Sequence, residues 1–180
     1  MTNNYAYTSS GNNDECYTPE YAVIPLLEFL EPFKNKIIWC PFDTKESEFY
    51  KVLVKNGYNV VLSHVKTGQN FLNYEPVQWD LIISNPPFTD KRTTFKRCLS
   101  FGKPFALLMT ILWLNDKAPK QLFNKSDLQL LLFDERIQYK EQEQKGINFA
   151  SAYYCYNFLP TKLEIRKLFE NKNQLTLDLT

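Results

Sequence analysis

Apolar and polar positions along this chain fall into blocks that switch between two periods. Ile37-Ile38-Trp39 is a short continuous apolar run. Phe49, Val52 and Leu53 then recur at helical spacing within residues 44–56, stopped by Asn56-Gly57, and residues 58–62 return to a β-rich run. A second strand-helix-strand unit follows, with a strand over 79–84, a helix over 91–99 stopped by Gly102, and a strand over 104–110. The pattern then predicts a short helix over 119–124, strands over 128–133 and 150–158, and a C-terminal helix over 162–170. Near the start, Thr18-Pro19-Glu20 ahead of Val23, Ile24, Leu26, Leu27 and Leu30 predicts an amphipathic helix with Thr18 as N-cap, Pro19 at its first position and Pro25 placed to bend it.

Strand-helix alternation with continuous apolar strands predicts an α/β fold, a mostly parallel sheet with helices on both faces, because right-handed crossovers put helices on each side. Residues 1–15 are rich in Asn, Ser, Thr and Gly and predict a flexible N-terminal arm, leaving 16–180 as one domain. Residues 134–149 turn polar, with Arg136, Lys140, Glu141, Glu143 and Lys145, and predict an exposed loop.

Composition narrows the chemistry. The 180 residues are 44% hydrophobic and 16% aromatic, enough for a sizeable core. A formal net charge of +1 gives no global positive field, so a polyanionic partner has to be held by a local patch. Cys16, Cys40, Cys98 and Cys155 form no Cys-x-x-Cys pair, and no secretory or membrane-spanning segment accompanies them; free thiols in a reducing cytoplasm, away from membranes, are expected. His64 is the only histidine, which rules out His-rich zinc sites, leaves one possible base with no serine-hydrolase motif around it, and predicts no metal.

The segment with chemistry in it is Asn85-Pro86-Pro87-Phe88, directly after the apolar strand that ends at Ser84. In open α/β sheets ligands bind beyond the carboxyl ends of the strands, so this is where a catalytic loop belongs. An exocyclic amino or carboxamide nitrogen has a delocalised lone pair and is a poor nucleophile; two acceptors aimed at its hydrogens improve it. The Asn85 side-chain oxygen and the Pro86 carbonyl supply such a pair, and the two prolines fix the backbone that carries them. Positive charge growing on the nitrogen is then stabilised by dipoles already in place, and Phe88 can stack on a planar substrate such as a flipped base. Asn and Pro are also ordinary turn residues, so the same four residues fit a plain turn.

This loop resembles that of the Rossmann-like S-adenosylmethionine-dependent amino-methyltransferases, in which an (Asn/Asp/Ser)-Pro-Pro-(Tyr/Phe) segment closes the fourth strand, and more narrowly that of small phage-type adenine-N6 methyltransferase-like proteins. The resemblance implies their fold, with a late antiparallel strand, and S-adenosylmethionine as cofactor. Tyr17-Thr18-Pro19 is similar to the segment lying beside the methionine end of the cofactor, and Asn70 and Phe71 to the pair that hydrogen-bonds and stacks on its adenine, although Phe71 equally fits a core position. Pro41-Phe42 matches a common version of the turn after the first strand, with Cys40 where an acid would stand and Asp43 as a substitute contact to the cofactor's amino group. Two departures accompany these matches: residues 39–47 contain no glycine, and Ser63-His64 replace the acid that usually grips the ribose.

The implied substrate is adenine N6 in nucleic acid, DNA before RNA. Lys91, Arg92, Lys96 and Arg97 follow the loop closely, and Arg136, Lys140 and Lys145 form a second candidate patch for phosphates, although each also fits a solvated surface. These 180 residues have no room for a large separate recognition domain, so specificity is either short and loop-borne or supplied by a partner protein. Two other functions share the same residues: a protein glutamine N-methyltransferase, and a catalytically inactive binding or inhibitor protein that keeps the fold without the cofactor.

Overall fold

The computed structural model describes residues 17–87, 90–123, 127–139 and 147–168; the arm expected over 1–15, together with Phe88 and Lys140, lies outside them. The chain opens with α1 (Glu20–Val23) and tightens into 3₁₀ turns at Ile24–Phe29 and Glu31–Phe33. Pro25 has no amide hydrogen to continue an α-helical ladder, so the pitch changes there. The expected cap is corrected: Pro19, in extended conformation, is the N-cap and no side chain caps the helix. The Thr18 hydroxyl instead accepts a hydrogen bond from Asn85.

Then come β1 (Ile37–Cys40), α2 (Glu48–Lys55) and β2 (Asn59–Leu62). Helix α2 starts later than the periodicity predicts because residues 41–47 form a turn, and Ser47 Oγ caps the helix by accepting from the Tyr50 amide at 3.4 Å. Next are β3 (Leu81–Ser84), α3 (Lys91–Ser100), β4 (Phe105–Thr110), a 3₁₀ turn at Ile111–Asn115, α4 (Lys117–Leu122) and β5 (Gln129–Phe133). The remaining strands are β6 (Ile137–Tyr139), β7 (Ile147–Phe149), β8 (Ser151–Tyr156) and β9 (Leu163–Arg166). Two expectations fail here. The polar stretch 134–149 contains the antiparallel pair β6 and β7, and part of the predicted C-terminal helix is the strand β9, which pairs in parallel with β5.

Seven strands form one sheet in the order β2-β1-β3-β4-β8-β5-β9. It is parallel except for β8, which runs antiparallel to both β4 and β5. The fold class is therefore α/β with a mostly parallel sheet and a late antiparallel strand. Successive strand residues point to opposite faces. Ile38, Cys40, Ile83, Leu108 and Tyr153 pack against Ala22 and Val23 of α1 and Phe49 and Leu53 of α2. Trp39, Ile82, Phe105, Leu107 and Tyr154 pack on the other side against Phe95 and Cys98 of α3 and Trp113. From β1 the chain moves outward to β2, then crosses to the far side of β1 to lay down β3 and β4. The carboxyl ends of β1 and β3 thus flank a topological switch point, where open sheets bind ligands.

Candidate active site at the switch point

Asn85-Pro86-Pro87 leaves the carboxyl end of β3 at this switch point. Pro86 is buried, Pro87 is exposed and Asn85 lies between. Asn85 Nδ2 donates to Thr18 Oγ1 at 3.1 Å, which fixes the carboxamide with its donor half toward the N-terminal segment. The Tyr17-Thr18-Pro19 segment and the Asn85-Pro86-Pro87 loop, far apart in sequence, therefore meet.

On the other flank, the turn after β1 carries Asp43, which is 7% exposed. Its carboxylate accepts a short hydrogen bond from the hydroxyl of fully buried Ser84, the residue immediately before Asn85. Asp43 thus ties the β1 turn to the start of the Asn85-Pro86-Pro87 loop across the switch point. Burial pushes its carboxyl up to about 6, outweighing the hydrogen bonds to Ser84 and Ser47 that pull it down. Beside it, a cleft of about 360 Å³ opens at the carboxyl ends of β1 and β2, lined by Asp43, Thr44, Lys45, Glu46, Leu62, Ser63, His64, Thr67 and Gln69. That volume is within the range of small-molecule sites.

Not every expected cofactor residue is placed to serve. Ser63 is buried, and its hydroxyl accepts from Trp39 Nε1 at 2.9 Å, so it is a partner of the core indole before it is a ribose contact. Phe71, 2% exposed, is enclosed by Trp39, Phe42 and Phe101 at ring distances of 5.2, 5.0 and 6.4 Å. The Arg97 guanidinium closes it further at 5.5 Å, so Phe71 belongs to the core and offers no face for stacking. Asn70 Oδ1 accepts from the Leu72 amide at 2.9 Å, a local turn at the surface. His64 lines the cleft while its Nδ1 accepts from the Lys66 amide at 3.0 Å. Pro41 is buried and Phe42 half-buried against Phe71.

Among the candidate phosphate contacts, Arg92 and Lys96 are exposed one helical turn apart on α3, while Lys91 approaches Asp116 at 3.9 Å. Arg136 is exposed on the turn before β6. Arg97 is instead drawn inward, donating to the Tyr74 carbonyl at 3.3 Å and stacking on Phe101 at 4.9 Å. Ser84 was missed by sequence reasoning; its adjacency to Asn85 was visible, its partner was not. Among the described residues no group of three or more His, Cys, Asp or Glu is placed to hold a metal, and no helix is long and apolar enough to cross a membrane.

No protein-family model matches the chain, and no curated protein matches it. Among solved structures, the chain is similar to a protein from Listeria monocytogenes described provisionally as a class I S-adenosylmethionine-dependent methyltransferase. The identity is 13%, the superposition covers 95% of this chain and 72% of that one, and the TM-score is 0.47.

Proposed function

We propose that this chain is an S-adenosylmethionine-dependent methyltransferase acting on an exocyclic amino nitrogen, with adenine N6 in a polynucleotide, DNA before RNA, as its acceptor. The observation that carries the reading is Asn85, held by Thr18 at the carboxyl end of β3 next to Ser84, which bonds the Asp43 that lines the cleft. The Asn85 carboxamide oxygen and the Pro86 carbonyl are assigned as the two acceptors for a substrate amino group. These dipoles are fixed before substrate arrives, so they favour the transition state, in which the nitrogen becomes positive, over the neutral ground state.

The residues around the cleft fit the cofactor in donor chemistry. Asp43 and Glu46 supply carboxylates to a cationic ligand, and His64 and Gln69 supply polar contacts at the rim. When bound, the cofactor contributes an electrophilic methyl group on a sulfonium. Asp43 would take the ammonium or hydroxyl contacts of the cofactor while keeping Ser84, and with it the acceptor loop, in place. Lys91, Arg92 and Lys96 would meet phosphates, which position a strand without reading its sequence.

A second reading is favoured by a specific observation: Ser63 and Phe71, two expected cofactor contacts, are engaged within the core. On that reading the fold binds a partner without catalysis. Calorimetric titration with S-adenosylmethionine separates the two, micromolar binding supporting the enzyme and no heat from folded protein supporting the inactive form. Labelled cofactor is then assayed against DNA, RNA and protein. Asn85→Ala is expected to lower turnover by about 10²-fold or more, the scale of losing one preorganised polar group, with cofactor affinity nearly unchanged. Turnover at the native rate removes Asn85 from its role.

A further inference from the structure

Strand β4 runs beyond β3. Ser84, the last residue of β3, pairs with Leu107, and β4 continues to Thr110. The 3₁₀ turn Ile111–Asn115 is thereby carried past the sheet edge on the side where the acceptor loop emerges. This turn is rigidly held. The Ile111 amide donates to Ala150 O at 2.8 Å, Tyr154 OH donates to Thr110 O at 3.0 Å, and Trp113 is buried with its ring 4.6 Å from Phe95. In the middle of these anchors Leu112 is 51% exposed, a large aliphatic side chain held outward by a turn that cannot easily fold it back.

The surface next to it is positive. Five basic side chains, Lys91, Arg92, Lys96, Lys117 and Lys120, stand on α3 and α4 against two acids, Asp90 and Asp116, on a chain whose formal net charge is only +1. Arg92 Nη2 donates to Gln121 Oε1 at 2.9 Å, which sets the 117, 120, 121 stripe of α4 alongside the 92, 96 stripe of α3. Lys96, Lys117 and Lys120 are exposed, and none forms an ion pair among the described residues. Asp116, the nearby acid, is already approached by Lys91 at 3.9 Å.

We infer that the Ile111–Asn115 turn and α4 form, with α3, a polynucleotide-binding face in which Lys117 and Lys120 meet backbone phosphates and Leu112 packs against an unstacked base. The inference rests on the nucleic-acid reading above and extends it to residues on the opposite flank of the loop. A polynucleotide is the occupant that offers both chemistries at once, phosphates at regular spacing and apolar base faces; aliphatic wedges beside cations are a recurring way to hold a base out of its stack.

The test measures fluorescence anisotropy of labelled single-stranded DNA, duplex DNA and single-stranded RNA of about 20 nucleotides at several salt concentrations. Lys117→Gln/Lys120→Gln is expected to weaken binding about tenfold at low salt and to reduce the slope of log affinity against log salt by about 1.4 to 1.8, the counterions of two lost phosphate contacts. Leu112→Ser is expected to weaken binding several-fold with the slope unchanged. All three side chains are exposed, so unfolding midpoints should stay at the native value and the losses be read as binding. If Lys96→Gln lowers the slope while the α4 pair and Leu112→Ser bind as the native protein does, this inference fails and the nucleic-acid reading stands. If none of the three polynucleotides binds while S-adenosylmethionine does, or if labelled poly-glutamate binds through the same lysines and no polynucleotide does, both fail together.

Discussion

Asp43 concentrates the tension in this molecule at a single side chain. It sits in a buried turn among Ser84, Ser47, the Cys40 thiol and the Tyr153 phenol, and the last two feel its charge. Burial raises its carboxyl from 3.8 to about 6. Between about pH 4 and 6 the folded chain therefore keeps a proton that the unfolded chain releases. Stability falls as pH rises through that window, and above it the ionised group costs about 3 kcal/mol, at 1.36 kcal/mol per unit. Asp43→Asn, which can keep Ser84 as a partner, should melt well above the native protein at pH 7.5 and close to it at pH 4. Equal differences at the two pH values would show that Asp43 is not the source. A cationic ligand in the cleft would supply the missing counter-charge, so saturating S-adenosylmethionine, the ligand proposed for it, should narrow the pH 7.5 gap. At this scale the sequence was partly legible. Asn85 could be placed because an apolar strand precedes it. The Asp43 to Ser84 bond spans 41 positions and exists only through the side-by-side placement of β1 and β3. Ser63 and Phe71 matched a pattern by position, but a linear pattern does not reveal that Trp39 claims both.

Elements were legible where their own side chains decide their form. Helix α2 buries Phe49, Val52 and Leu53 on one face and is closed by Gly57 at φ +77°, with the Tyr58 amide donating to Leu53 O at 3.0 Å. A Cβ at Gly57 would meet nothing nearer than Lys34 Nζ at 3.7 Å, so the demand is for the left-handed backbone and not for space. Gly57→Ala is accordingly expected to cost about 1–2 kcal/mol, read as a lower urea midpoint with an unchanged slope. A midpoint equal to the native one would mean the turn relaxes freely. Strand β9 failed the same reading because its form is decided elsewhere. Leu163 and Ile165, taken as helical positions, are exposed, and the backbone instead completes the open edge of β5, with the Leu130 amide donating to Lys162 O at 2.9 Å. Arg166 adds two bonds of 2.7 Å to Glu28 and rests on the Phe29 ring at 4.9 Å. These tertiary partners override a weak local preference. The β6 and β7 pair was missed for a related reason: Ile137 and Tyr139 are buried around exposed Gln138, a period-two signal too short to stand out from the charges that follow.

At the scale of the whole molecule, one sheet is shared by two core layers, and neither can lose its packing without exposing strands that the other also uses. The first layer is tied across its width by the N-terminal segment. Tyr153 OH donates to Ala22 O at 2.9 Å, and the Gln138 amide donates to Tyr21 OH at 2.8 Å, linking α1 to both β8 and β6. The second layer holds all three tryptophans, Trp39, Trp79 and Trp113, so indole fluorescence reports on that layer alone. Far-ultraviolet circular dichroism reports on the helices of both. Because Ile38 and Trp39, or Tyr153 and Tyr154, are adjacent residues of one strand facing opposite layers, the layers should unfold together. Urea denaturation followed by the two signals is expected to give the same midpoint and slope within error, the behaviour of a single cooperative unit. A fluorescence transition that precedes the dichroism change would mean that the α3 and α4 layer can detach while the rest of the sheet persists. In that case the basic side chains of α3 and α4 would come away first, and the Asn85 loop, tied to Thr18, would stay with the persisting sheet.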